Sequence, residues 1–184
     1  MSTTLPGTTI EISRFTPGCS RALFDGIFTA GGVTLSQVSI MTGLEPYLIQ
    51  NWIKRGFLTS SVKRLYSRQQ FARVVLINML RESLQIERIC AITHTIDGLT
   101  GDPGDDLIAG DELYHRYIDM LATAAIDPSN EDSVKAAAEA ATVDCYQNDR
   151  HAQVALCRIL QVMYYAHTSA KLRNTAEHLL SSLQ

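Results

Sequence analysis

The chain is short of the features that commit a protein to a membrane, a disulfide framework or a phosphate cradle. No apolar run approaches the roughly 20 residues needed to span a bilayer. The opening stretch MSTTLPGTTIEISRF lacks the basic start and apolar centre of a secretory leader. The four cysteines, Cys19, Cys90, Cys145 and Cys157, stand far apart with no CxxC. That usage fits a reducing cytoplasm better than a stapled secreted fold. No glycine loop is spaced to hold a phosphate, and none of the five histidines neighbours a serine or cysteine as a base would. These absences argue against an enzyme and call for no cofactor and no metal.

What is present describes a globular protein. At 184 residues, with 46% hydrophobic and 19% charged residues, the chain can bury a core in one or two domains. Its net charge of −3 hides an asymmetry. Residues 34–98 carry eight Lys or Arg against four acids, and residues 99–184 carry six against thirteen. A basic segment joined to an acidic one fits a polyanion-binding head on an acidic body.

The basic segment holds the most informative pattern. Residues 35–55 read LSQVSIMTGLEPYLIQNWIKR, two short helices meeting at a glycine turn. Val38, Leu44, Ile49 and Trp52 supply the apolar set, Ser39 is small, and Gly43 takes the left-handed turn conformation. Thr34 with Gln37, and Ser67 with Gln70, are spaced as capping boxes. Pro46 suits the first turn of the second helix, and Gly56 ends it. Residues 57–66 alternate as a small hairpin around 59–63, followed by helices over about 68–83 and 85–96. This order of helix, helix, hairpin, helix, helix is that of a winged helix-turn-helix.

The rest divides simply. Residues 1–19, rich in Thr and Ser with two prolines, read as a flexible lead-in, and a short amphipathic helix covers 20–29. The linker LTGDPGDD (99–106) separates a head at 20–98 from a body at 107–184; its acids lack the pattern of a calcium loop. The body reads as helices over 107–125, 131–146 and 150–180, the last with a candidate break near Thr168. The expected fold is mainly α, a winged helix-turn-helix head with a small β-hairpin followed by an all-helical C-terminal domain.

TGLEPYLIQNWIKRGFL (42–58) and KRLYSRQQ (63–70) resemble the DNA-binding domain of MerR-type regulators. With LFDGIF and LINMLRESL, the segment is also similar to a small bacterial group of MerR-like regulators of unassigned function. The resemblance covers 34–98 and, more weakly, 20–33. It implies base-facing side chains at Tyr47, Gln50 and Asn51. It implies backbone contacts from Lys54, Arg55, Lys63, Arg64 and Tyr66, with Arg68 completing the set. Gln and Asn can pair with adenine while Lys and Arg neutralise phosphates. Two departures stand out: many relatives carry arginine where this chain has Tyr47 and Gln50, and no long dimerisation helix follows the head directly. Trp52 is better read as core than as a base-stacking ring. Metal sensing through Cys145, His151 and Cys157 finds no trustworthy thiolate spacing.

The function expected is that of a cytoplasmic transcriptional regulator that binds duplex DNA as a homodimer, with a C-terminal domain for dimerisation. Tyr114, Tyr117, Tyr164 and His167 form a candidate pocket for a small-molecule effector, although aromatics on bundle helices are commonly core. The alternatives are a protein-interaction adaptor that keeps the fold without binding DNA, and a small-molecule-binding module whose head is a scaffold.

Overall fold

Two hydroxyls and one proline ring fix where three helices of the first half begin. Thr34 Oγ1 accepts from the amide of Gln37 while Gln37 Oε1 accepts from the amide of Thr34 at 2.8 Å. Ser67 and Gln70 repeat the arrangement, with the Ser67 amide donating to Gln70 at 2.9 Å. Each box satisfies amides that an unformed helix turn leaves open. The structure, a computed structural model, describes residues 2–96, 110–123, 125–145 and 150–183. The expected linker at 99–106 lies outside the described residues.

Along the chain run β1 Thr3–Thr4, β2 Glu11–Ile12, α1 Cys19–Ile27, β3 Val33–Thr34, α2 Leu35–Thr42 and α3 Pro46–Lys54. There follow β4 Leu65–Tyr66, α4 Arg68–Leu80, α5 Ile86–Ile96, α6 Glu112–Thr123, α7 Glu131–Thr142 and α8 Arg150–Ser181. The described residues are therefore mainly helical, with two antiparallel pairs, β1–β2 and β3–β4. Val33 lies opposite Tyr66 in the second pair.

Helix α4 is buried on nearly every side, from Phe71 through Leu80, as expected of a central helix. Helix α2 packs on it, and Gly43 (φ 70°) turns the chain into α3 so that Ile49 and Trp52 reach the same core. Leu44 closes the angle between α2 and α3.

Three expectations change. Residues 2–19 are not a loose lead-in: β1 and β2 form a ribbon docked on the head. Leu5 is buried, and Asn78 Nδ2 donates to the carbonyls of Gly7 (3.0 Å) and Thr42 (2.9 Å). Gly7 (φ 74°) sits so close to α4 that a Cβ there would lie 2.4 Å from the Val75 carbonyl oxygen. The hairpin also turns later than expected, at Lys63–Arg64, where Val62 and Leu65 exchange backbone hydrogen bonds of 3.1 and 2.9 Å. Its second strand pairs with β3 rather than with residues 57–60, which Gln70 Nε2 holds through Thr59 and Ser60. Finally, α8 runs unbroken for 32 residues, past the candidate break near Thr168.

The expected head and body share one core. Phe24 of α1 lies 5.6 Å from the Tyr114 ring of α6 and 5.3 Å from Phe71 of α4. Arg21 binds Glu112 at 2.6 Å and also Asp119. Ser83 Oγ donates to the Ala166 carbonyl of α8 at 2.7 Å.

Candidate nucleic-acid interface

The apolar side of α3 is spent on the core, which leaves its other side as a polar stripe. Ile49 and Trp52 are buried, while Tyr47, Gln50, Asn51 and Lys54 are exposed. The spacing 47, 50, 51, 54 places all four on one helix face. Tyr47 is 65% exposed, unusual for an aromatic side chain on a folded domain. None of the four side chains has a hydrogen bond or ion pair among the described residues. Arg55, just beyond the helix, is exposed but engaged: it pairs with Glu87 at 2.9 Å and lies 4.5 Å over the Phe57 ring.

The hairpin turn adds two cations. Lys63 (φ 51°) and Arg64 (φ 65°) both occupy the left-handed region, the geometry of a two-residue type I′ turn usually built from Asn-Gly. Both are exposed and without a partner among the described residues. A strained turn that displays two unpaired cations is a feature worth a functional explanation.

Two expected contact residues are placed elsewhere. Tyr66 is 3% exposed: it faces Val33 across the strand pair, and burial pushes its hydroxyl pKa up. It anchors the hairpin to the core. Arg68 turns inward from the first turn of α4 and pairs with Asp25 and Asp111, with His115 Nε2 at 3.2 Å. Its charge joins α1, α4 and α6.

That inward cluster carried no readable signal, because its members lie up to 95 residues apart. Ser20 Oγ lies 2.9 Å from His115 Nδ1, and His115 Nε2 lies 3.4 Å from Asp111. The hydrogen bond with His115, aided by Arg68, holds the Asp111 carboxyl down at about 2. A serine, a histidine and an aspartate in a row suggest a nucleophile and its base. Ser20 and His115 are almost fully buried, however, so no substrate reaches them. The group acts as a polar staple between α1 and α6.

The four residues of the candidate effector pocket separate into two pairs. Tyr114 and Tyr117 are wholly buried; Tyr114 donates to the Pro6 carbonyl at 2.9 Å, and Tyr117 Oη lies 2.7 Å from His167 Nδ1. Tyr164 and His167 line an open cleft of about 710 Å³ between residues 3–8 and α8. Burial, with Lys171 adding to it, holds the His167 pKa down at about 4. The aromatic pattern therefore marks a core with a cleft on one side. Among the described residues, no three metal-ligating side chains gather in one place, and no helix is long and apolar enough to cross a membrane.

Residues 32–117 match a family described as a domain of unknown function (DUF1836). The match begins at β3 and ends within α6, so it takes in the Tyr114–Tyr117 segment together with α2, α3 and the hairpin. No curated protein and no solved structure matches the chain.

Proposed function

We propose that this protein is a DNA-binding transcriptional regulator, with α2 and α3 as a MerR-like helix-turn-helix and the turn at Lys63–Arg64 as its wing. The observation that carries the reading is the stripe Tyr47, Gln50, Asn51 and Lys54: four exposed side chains on one face, none committed among the described residues. Such a face suits the major groove. The Gln50 and Asn51 amides have the donor–acceptor pair that matches adenine, Lys54 supplies a phosphate contact at the helix end, and Lys63 and Arg64 grip the flanking backbone. Arg55 joins them by exchanging Glu87 for a phosphate, since an exposed ion pair is worth only about 0–1 kcal/mol.

The proposed regulator is a homodimer through α8. Val162, Tyr165, Ser169, Leu172, Ala176 and Leu179 are exposed along it at alternating spacings of three and four, and Leu183 continues the series. That alternation matches the spacing of a coiled-coil seam, and two copies would present two recognition helices to a repeated site.

An adaptor that binds another protein is the second reading. Ile40 and Val62, each 71% exposed, favour it because they add apolar surface near the same elements. The experiment that separates the two is selection of bound duplexes from fragmented genomic DNA by the full chain. Enrichment of fragments sharing an inverted repeat is the expected result. Recovery proportional to input would remove the DNA reading and leave the adaptor.

A further inference from the structure

We propose that the cleft between the N-terminal ribbon and α8 binds a small amphipathic monoanion, and that residues 3–9 carry its occupancy to the α2–α3 turn. The lining has the two halves such a ligand needs. Leu5, Phe15, Leu121 and Ile126 form an apolar floor, and Lys171 with Thr168 and Thr175 forms a polar rim along α8. No carboxylate lines the cleft, and Lys171 has no ion pair among the described residues. Asp127, beside the rim, is turned to its own loop, where Oδ1 accepts from the amide and hydroxyl of Ser129. His167 adds an imidazole whose Nδ1 is committed to Tyr117, leaving Nε2 as its open polar atom. An amphipathic acid would lay its chain on the floor and its charge against Lys171.

The cleft is also connected. Its wall at Thr3–Thr8 continues into Thr9, whose amide donates to the Met41 carbonyl at 2.8 Å and whose hydroxyl donates to the Ile40 carbonyl at 2.7 Å. Asn78 ties the carbonyls of Gly7 and Thr42 together. A Cβ on Gly43 would lie 3.1 Å from the Thr9 methyl, so ribbon and turn are in close contact. A ligand that packs against residues 3–8 therefore acts on the last residues of α2 and on Gly43, where the direction of α3 is set. Binding stands apart from the DNA reading, and only the regulatory consequence rests on it.

The test uses octanoate as the probe, titrated calorimetrically into the full chain without DNA, with octanol and octylamine as uncharged and cationic comparisons. The expected result is one saturable octanoate site, at least tenfold tighter than for either comparison. Lys171→Glu should weaken it at least tenfold and Lys171→Arg should retain it. Arg88→Glu, an exposed charge change that does not line the cleft, should leave it unaltered. Hydrogen exchange at the Thr9 and Gly43 amides should slow when octanoate is bound. No octanoate binding, equal binding of octanol, or indifference to Lys171→Glu would overturn the site. Tight binding with unchanged exchange at Thr9 and Gly43 would overturn the relay.

Discussion

At the scale of single residues, the most telling pair is Lys63 and Arg64. Two consecutive side-chain-bearing residues with positive φ are costly, on the order of 1 kcal/mol each. The turn type they form is best served by Asn-Gly. Lys63→Asn/Arg64→Gly should therefore raise thermal stability by about 1–2 kcal/mol, read as a melting temperature several degrees higher. The same variant should bind duplex DNA several-fold more weakly, because it removes the two phosphate contacts proposed for the tip. A lower melting temperature would contradict the turn geometry, and an unchanged affinity would remove the tip from the interface. Tyr66 and Arg68 show the limit of reading such residues in isolation. Their types and spacing are those of contact residues, yet one fills the core and the other is held by Asp25 and Asp111. Partners 43 residues distant in sequence leave no local trace.

At the scale of elements, legibility followed the range of the forces involved. Helices α2, α3 and α4 were readable because capping boxes, Pro46 and the buried series on α4 are all local. The hairpin register was not, because β4 pairs mainly with β3 across the whole α2–α3 unit and meets its neighbour in sequence only at Val62 and Leu65. The N-terminal ribbon was hidden for a similar reason. Two-residue strands have no periodicity, and their hold comes from Asn78 and α2. Helix α8 was anticipated in extent. Its buried side chains all fall between Ala152 and Ala170, and everything beyond is exposed, with Leu172 at 65% and Leu179 at 59%. At 32 residues it is about 48 Å long, ample for a paired seam. Leu179→Lys/Leu183→Lys should convert the proposed dimer to a monomer in sedimentation equilibrium while leaving helix content unchanged. A wild-type monomer at tens of micromolar would contradict the seam.

At the scale of the whole molecule, the elements expected to form two domains form one packed unit, and its stability should carry a signature of His167. Burial lowers the folded-state pKa of His167 to about 4, below the ordinary value near 6.5. The unfolded chain therefore binds the extra proton between those values. Stability is complete above about pH 6.5 and falls as the pH drops toward 4, by on the order of 2 kcal/mol after allowance for partial exposure. In His167→Gln the slope of melting temperature against pH should flatten across that window. A slope equal to wild type would place the acid sensitivity elsewhere. The shared core also bears on how the proposed regulator responds to ligand, since α8 packs on α4, the helix against which α2 rests. Regulation by this protein, as proposed, depends on duplex DNA binding through the α3 stripe and the Lys63–Arg64 tip. Its most direct test is fluorescence anisotropy with duplex fragments over a series of salt concentrations, comparing wild type with Lys54→Ala/Lys63→Ala/Arg64→Ala. Affinity should fall steeply with salt, and the variant should bind at least tenfold more weakly with a salt slope shallower by about 2–3. Folded wild-type protein that fails to bind at low salt, or a variant that keeps the full slope, would contradict it.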